Sequence, residues 1–253
     1  VAQLGKAWLA VPAAVALALL ISPPARASYV PAQGGGYAQI YELARQIERR
    51  AQMPGFAAFA LGVATRESRG NNLAINDSAS EAKHACDLYL ANADTRYADN
   101  PYGAARFCFG SGGWYGLMPA TALAGKPFRT LDPYLIFDPA ASTVLLADYV
   151  RRVVKGYFHK LPASCRNYLT IRRFMASNKV GLDCDETNYD RSAVVRERFG
   201  ADLAERGIAP TAMFKPVVIG AWPGGTTLMS EVTGAEGAVA PVVLEDTLPE
   251  ALR

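Results

Sequence analysis

Residues 55–72 read GFAAFALGVATRESRGNN, and the way this stretch ends decides how the rest of the chain is read. From Phe56 to Glu67 the residues suit a helix that is apolar on nearly every side. Phe56, Phe59, Ala60, Leu61, Val63 and Ala64 leave little polar surface, which predicts a central, buried position. The helix closes on one carboxylate, Glu67, held between Arg66 and Arg69, and Gly70, Asn71 and Asn72 then break it. On a helix Glu67 shares a face with Val63 and Ala64. Apolar neighbours partly desolvate a carboxylate and favour its neutral form, and a protonated carboxyl at a cleft edge can act as a general acid. Arg66 and Arg69 are expected to point about 100–200° away from it around the helix. Taken alone, Glu67 also fits a helix-end surface residue paired with an arginine.

A second segment shifts that balance. Residues 107–122, FCFGSGGWYGLMPATA, carry glycines at 110, 112, 113 and 116 interleaved with Phe107, Phe109, Trp114 and Tyr115. Glycine lets a backbone approach a ligand closely, and flat aromatic faces beside open amides suit a sugar. A tight turn with core aromatics would look the same. No G-K-[ST] follows, so the segment is not a phosphate cradle.

Around these two segments the pattern is helical. Tyr37 to Gln52 places Ile40, Leu43, Ala44 and Ile47 on one face. Pro119 to Leu123 suits a short helical turn. Asp138-Pro139 opens a helix to about Phe158, with Val144, Leu145, Tyr149, Val153 and Val154 on its core side. Arg166 to Asn178, ended by Gly181, and Asp190 to Arg206, capped by Gly207, complete five helices. No convincing hairpin is visible, and residues 70–113 read as a long irregular stretch, a kind that is often functional.

In order and spacing these elements resemble the soluble lytic transglycosylase family over roughly residues 54–182. That family reads Glu-Ser-x-Phe, then Gly-Ala-x-Gly-Leu-Met-Gln-x-Met-Pro-x-Thr-Ala, then Phe-Asp-Pro, then a helix ending Ala-Ala-Tyr-Asn-Ala-Gly. Glu67-Ser68 matches the first motif, and Gly110 to Ala122, containing Gly116-Leu117-Met118-Pro119, matches the second. Phe137-Asp138-Pro139 matches the third and Met175-Ala176-Ser177-Asn178 the last. The chain departs from the pattern in three places. The family's glutamine is Gly116, its tyrosine is Ser177, and an insertion near Ser78–Arg106 separates the glutamate from the glycine-rich segment.

The resemblance implies a mainly α, lysozyme-like helical domain; the departure from it adds a long insertion loop that a Cys86–Cys108 disulfide would staple, and composition adds an extended C-terminal tail. The resemblance also implies cleavage of the β-1,4 bond between N-acetylmuramic acid and N-acetylglucosamine in peptidoglycan. Glu67 would be the single general acid and base, leaving a 1,6-anhydromuramyl end. Ser68, Gly113, Trp114, Tyr115, Gly116, Met118 and Asn178 would contact the sugars. No metal or cofactor is implied. Two other readings stay open. A muramidase using water would need a second carboxylate, with Asp77, Asp94 and Asp99 available in the insertion. A catalytically silent wall-binding domain would serve an envelope-spanning secretion or conjugation complex.

Composition and compartment fit an exported chain. Of 253 residues, 51% are apolar, enough for one sizeable core. Lys6, the apolar run Ala7–Ile21 and Ala25-Arg26-Ala27 follow the pattern of a secretory signal over residues 1–27, with an uncleaved anchor helix as the alternative. Val1 suggests an alternative bacterial start codon. A Pro/Gly linker, 28–36, leads into a domain at 37–215, and 216–253 reads as an extended or disordered tail. The expected location is periplasmic or secreted.

Four cysteines, Cys86, Cys108, Cys165 and Cys184, read as two disulfides after an export signal. Three pairings are open; the sequential one closes two short loops, each stabilising by roughly 3 kcal/mol. With no C-x-x-C and only His84 and His159, a zinc site is not expected. The net charge is +3, and the tail is acidic, so the middle of the chain is more basic than the whole. That balance suits an anionic polymer such as a cell wall and is too mild for nucleic acid. The expected form is a monomer.

Overall fold

A computed structural model describes residues 36–177, 201, 203–209 and 215–219. The signal-like segment 1–27 and almost all of the linker 28–36 lie outside the described residues. Among the described residues no helix is long and apolar enough to cross a membrane.

The chain is mainly helical. Helix α1 (Tyr37–Ala51) buries Ile40, Leu43, Ala44, Ile47 and Ala51, the face expected from the 3.6-residue period. Gln52 adopts left-handed geometry and stops it. Helix α2 (Phe56–Glu67) follows immediately and packs against α1. Every residue from Phe56 to Ala64 in α2 is buried, so the all-round apolar pattern does mark the central helix. The amide N–H of Ala57, one of the orphan donors of the first turn, is satisfied by Glu48 Oε2 of α1 at 2.8 Å.

Residues 70–113 are not the irregular stretch expected. Ile75–Asn76 (β1) and Ser111–Gly112 (β2) pair antiparallel, with Ile75 opposite Gly112 and Asn76 opposite Ser111. Gly112 also bridges Leu117, closing a tight turn over 113–116. The strands are only two residues long and a helix lies between them in the chain, so they form a long-range pair and not a hairpin.

Between them lies helix α3 (Ala79–Leu90). Its period is hard to see because one residue alone, Ala85, is fully buried. The disulfide Cys86–Cys108 ties α3 to the segment before β2. Tyr89, Tyr97 and Phe107 stack beside it, with ring centroids 4.4 Å apart for Tyr89 and Phe107 and 5.0 Å for Tyr97 and Phe107. The Tyr97 hydroxyl donates to the Ala120 carbonyl in helix α4 (Pro119–Ala122). Arg106 Nη1 reaches both Asp132 oxygens at 3.0 Å while lying 3.9 Å over the Tyr134 ring. The disulfide and the aromatic stack close the segment on itself, and the Tyr97 hydrogen bond and the Arg106 ion pair bind it to the body of the fold.

Helix α5 (Pro139–Tyr157) starts as expected, with the Asp138 carboxylate accepting from the Ala141 N–H at 2.7 Å. Val144, Leu145, Tyr149 and Val153 are buried, and Val154 is half-buried against the core. Helix α6 (Tyr168–Ser177) begins two residues later than expected, after a 3-10 turn at Ala163–Cys165. Its Tyr168 ring stacks on Phe59 of α2 at 4.9 Å.

Only the end of the expected helix Asp190–Arg206 is described. Leu203 is buried, and the chain closes there on Gly207, φ 67°, with Gly207 N–H to Ala204 O at 3.0 Å and Ile208 N–H to Leu203 O at 2.9 Å. This is a Schellman cap. The expected boundary at 215/216 falls within a packed segment: Pro216 bridges Asn167, the Val217 N–H donates to Arg166 O at 3.0 Å, and Val217 and Ile219 rest on the core. The rest of the expected tail lies outside the described residues. Cys165 is disulfide-bonded, and Cys184 lies outside the described residues.

Candidate functional site

Glu67 is the last residue of α2, where the buried helix reaches the surface. Ala64 O accepts the Ser68 N–H at 3.1 Å, and Arg69 (φ 54°) and Gly70 (φ 80°) then turn the chain through left-handed geometry. The reversal leaves the Glu67 side chain 30% exposed, directed into a groove rather than against the core. Val63 and Ala64, its expected face-mates, are buried beneath it.

The groove is a cavity of about 270 Å³ lined by Glu67, Asn76, Glu81, Ser111, Gly116 and Arg172, with Tyr115 and Met175 completing the wall. A second cavity of about 80 Å³ shares Glu81, Gly116 and Met175 and extends past Met118 and Thr121 to Tyr149. Burial pushes the Tyr149 hydroxyl up to about 12, with the Arg152 charge pulling against it, so the group remains a neutral phenol.

Gly116 is what lets the glycine-rich turn meet the carboxylate. Its φ is +58°, and a Cβ there would lie 2.8 Å from Glu67 Oε2 and 3.2 Å from Glu67 Cγ. A glutamine, the residue usual in the resembling family, would not fit this backbone without a shift.

Gly113 has a different role from the one expected. A Cβ there would overlap the Ile136 carbonyl, so its bare backbone faces protein and not a ligand. Trp114 is fully buried, with Nε1 donating to Gly70 O at 3.0 Å. Tyr115 is fully buried too, its hydroxyl 2.8 Å from Thr143 Oγ1, and burial raises its pKa. Trp114 lines neither cavity, and Tyr115 reaches the groove wall while fully buried, so neither presents an exposed aromatic face. They are large apolar side chains under a turn, and burial of that surface outweighs display.

The Ser68 hydroxyl contacts backbone: Ala64 O at 3.0 Å, Trp114 O at 2.9 Å and the Gly70 N–H at 3.2 Å. It ties the end of α2 to the glycine-rich turn and so fixes Glu67 from behind. Asn72 does similar work, donating to Phe137 O at 2.7 Å. Met118 is half-buried in the second cavity. Asn178 lies outside the described residues. Of the expected site residues, the fold brings Glu67, Tyr115 and Gly116 to the groove, and Gly116 and Met118 to the second cavity.

Two charged groups there were missed. The arginine that meets Glu67 is Arg172 of α6, whose Nη2 donates to Glu67 Oε1. It lies 105 residues away in sequence, whereas Arg66 and Arg69 are exposed. No local spacing could have revealed it. The second is Glu81 of α3, whose Oε1 accepts from the Ser111 hydroxyl at 3.0 Å. Asp77, Asp94 and Asp99 are exposed and line neither cavity. A signal for Glu81 did exist: Ser78-Ala79-Ser80-Glu81 has the S-x-x-E form that opens a helix. Glu81 does not fold back as a capping box would, because Ser111 takes its carboxylate.

Chemically, the groove offers two carboxylates, one guanidinium, an amide at Asn76 and a hydroxyl at Ser111. Its lining is largely polar, with donors and acceptors side by side. Comparison with protein-family models, curated proteins and solved structures found no match to this chain.

Proposed function

We propose that this chain is an exported peptidoglycan-cleaving enzyme with a lysozyme-like helical domain, acting as a lytic transglycosylase on the bond between N-acetylmuramic acid and N-acetylglucosamine. The observation that carries the reading is Glu67, a carboxyl at the end of a buried helix, opening into a groove against the bare backbone of Gly116. The sequence order of Glu67-Ser68, Gly110–Ala122 and Phe137-Asp138-Pro139 supports it independently.

In this mechanism protonated Glu67 gives its proton to the glycosidic oxygen as the C1–O bond breaks. The resulting carboxylate then takes the proton of the muramyl C6 hydroxyl as that oxygen bonds to C1. The sugar closes into a 1,6-anhydro ring, Glu67 is again protonated, and no water is consumed. Ser68 and Trp114 O hold the end of the helix in place through both proton transfers. Peptidoglycan is the partner in this reading, and an envelope-spanning complex is the setting in which the enzyme would act.

A specific observation favours a second reading, hydrolysis. Glu81 lines the same cavity as Glu67. A second carboxylate across a groove can activate water or act as a nucleophile, the arrangement of ordinary glycosidases. Mass spectrometry of the glycan fragments released by the wild type, Glu67→Gln and Glu81→Gln separates the two. Anhydro ends, lost in Glu67→Gln and kept in Glu81→Gln, are the expected result. Reducing ends lost in both variants would replace the transglycosylase with a muramidase. Release that persists in Glu67→Gln would remove the acid/base assignment.

A further inference from the structure

The ion pair between Arg172 and Glu67 has no part in the chemistry above. It also stands in its way, because the group that must meet the glycosidic oxygen is in contact with a guanidinium. The pair is not a loose surface contact. The Arg172 side chain is 16% exposed, and α6, which carries it, is anchored to α2 by the Tyr168–Phe59 stack. Among the described residues that line the groove, Arg172 is the single cation, facing two carboxylates, Glu67 and Glu81. Glu81 is engaged by Ser111, so the guanidinium contact falls on Glu67.

A guanidinium carries five N–H donors in a planar fork that matches a carboxylate in two-pronged fashion. In the contact with Glu67 one nitrogen, Nη2, meets one oxygen, Oε1. A ligand carboxylate entering the groove can offer both its oxygens, a stronger charge-assisted arrangement. A neutral sugar has no charge to offer in exchange. A ligand displaces an equilibrium only by what it binds differently in the two states. A carboxylate-bearing glycan would therefore take Arg172 away from Glu67, and a neutral glycan would leave the pair closed.

We propose that Arg172 is a specificity-determining residue that recognises a carboxylate carried on the glycan, and that this exchange frees Glu67. The inference deepens the peptidoglycan reading and rests on it for the role of Glu67. The lactyl carboxylate of N-acetylmuramic acid is the group of this chemistry nearest the scissile bond; it is a free carboxylate only where no stem peptide is amide-linked to it, so the substrate inferred is glycan stripped of its peptides.

The test is calorimetric binding of a muramyl-containing oligosaccharide with free lactyl carboxylates, and of the same oligosaccharide with those carboxylates amidated. It uses the full chain as wild type, Arg172→Met, Arg172→Lys and Glu67→Gln. Wild type is expected to bind the carboxylate form at least about tenfold tighter than the amide, a difference of about 1.4 kcal/mol. Arg172→Met is expected to bind both alike, and Arg172→Lys to recover part of the preference. Glu67→Gln is expected to tighten the carboxylate form alone, because its competitor for Arg172 has gone. Equal affinity of the wild type for the two ligands, no binding of either, or a preference kept by Arg172→Met each overturns the proposal. Cleavage by wild type and Glu67→Gln is scored separately. Cleavage that persists in Glu67→Gln removes the acid/base reading while the affinity ratio still reports on Arg172.

Discussion

Glu67 and Gly116 occupy one another's space, and this sets what substitution at either should do. Glu67→Gln keeps the shape of the side chain and loses its proton chemistry. Loss of general acid catalysis amounts to about 10²–10⁴-fold in rate. Peptidoglycan release should therefore fall by at least about that factor, with an unchanged thermal melt; full release at the wild-type rate would refute the assignment. Gly116→Ala should act differently. Left-handed geometry at a residue with a Cβ costs roughly 1–2 kcal/mol. The added methyl also meets Glu67 Oε2 at 2.8 Å. The variant should both melt lower and displace Glu67, so activity at a temperature where it is fully folded should still fall. Full activity there would mean that the carboxylate position is not critical.

The elements around the site owe their stability to different sources. Helix α3 fully buries only Ala85, and the segment carrying it depends on Cys86–Cys108, the Tyr89–Tyr97–Phe107 stack and Arg106–Asp132. The disulfide spans 22 residues, for which loop-closure entropy gives about 3 kcal/mol. A Cys86→Ser/Cys108→Ser double variant should unfold at markedly lower denaturant concentration, and under the proposed function it should lose glycan cleavage early because the segment forms part of the wall of the groove that Glu67 faces. An unchanged unfolding midpoint would mean that stacking and ion pairing suffice. Helix α5 draws instead on its cap. Asp138→Ala removes the acceptor for the Ala141 N–H. The expected loss is about 1 kcal/mol or more, the usual worth of an N-cap.

The whole domain is closed by chain that follows α6. Leu203 is buried, Ile208, Val217 and Ile219 pack on the core, and the Arg206 guanidinium lies 3.9 Å from the centre of the Tyr37 ring of α1. Ending the chain at Ser177 would expose these contacts. Since one buried Leu or Ile contributes roughly 1.5–3 kcal/mol, the truncated chain should be several kcal/mol less stable in chemical unfolding, if it folds. A truncation that melts with the full chain would show that the core is complete without them. Local pattern was enough to read α1, α2, the capped start of α5 and the Gly207 stop, because each is set by side-chain period or by a backbone rule acting within a few residues. Glu67 was legible for the same reason: an apolar helix that ends on a carboxylate is a local fact. Helix α3 escaped because it has almost no buried face to print a period, and the two-residue strands are too short to show alternation. Trp114 and Tyr115 read equally well as a sugar platform or as core, and only packing in three dimensions chose core. Arg172 beside Glu67, Glu81 in the same groove and the close approach of Gly116 to the carboxylate join residues far apart in the chain. Such contacts depend on how helices are brought together, and no spacing in the sequence records that.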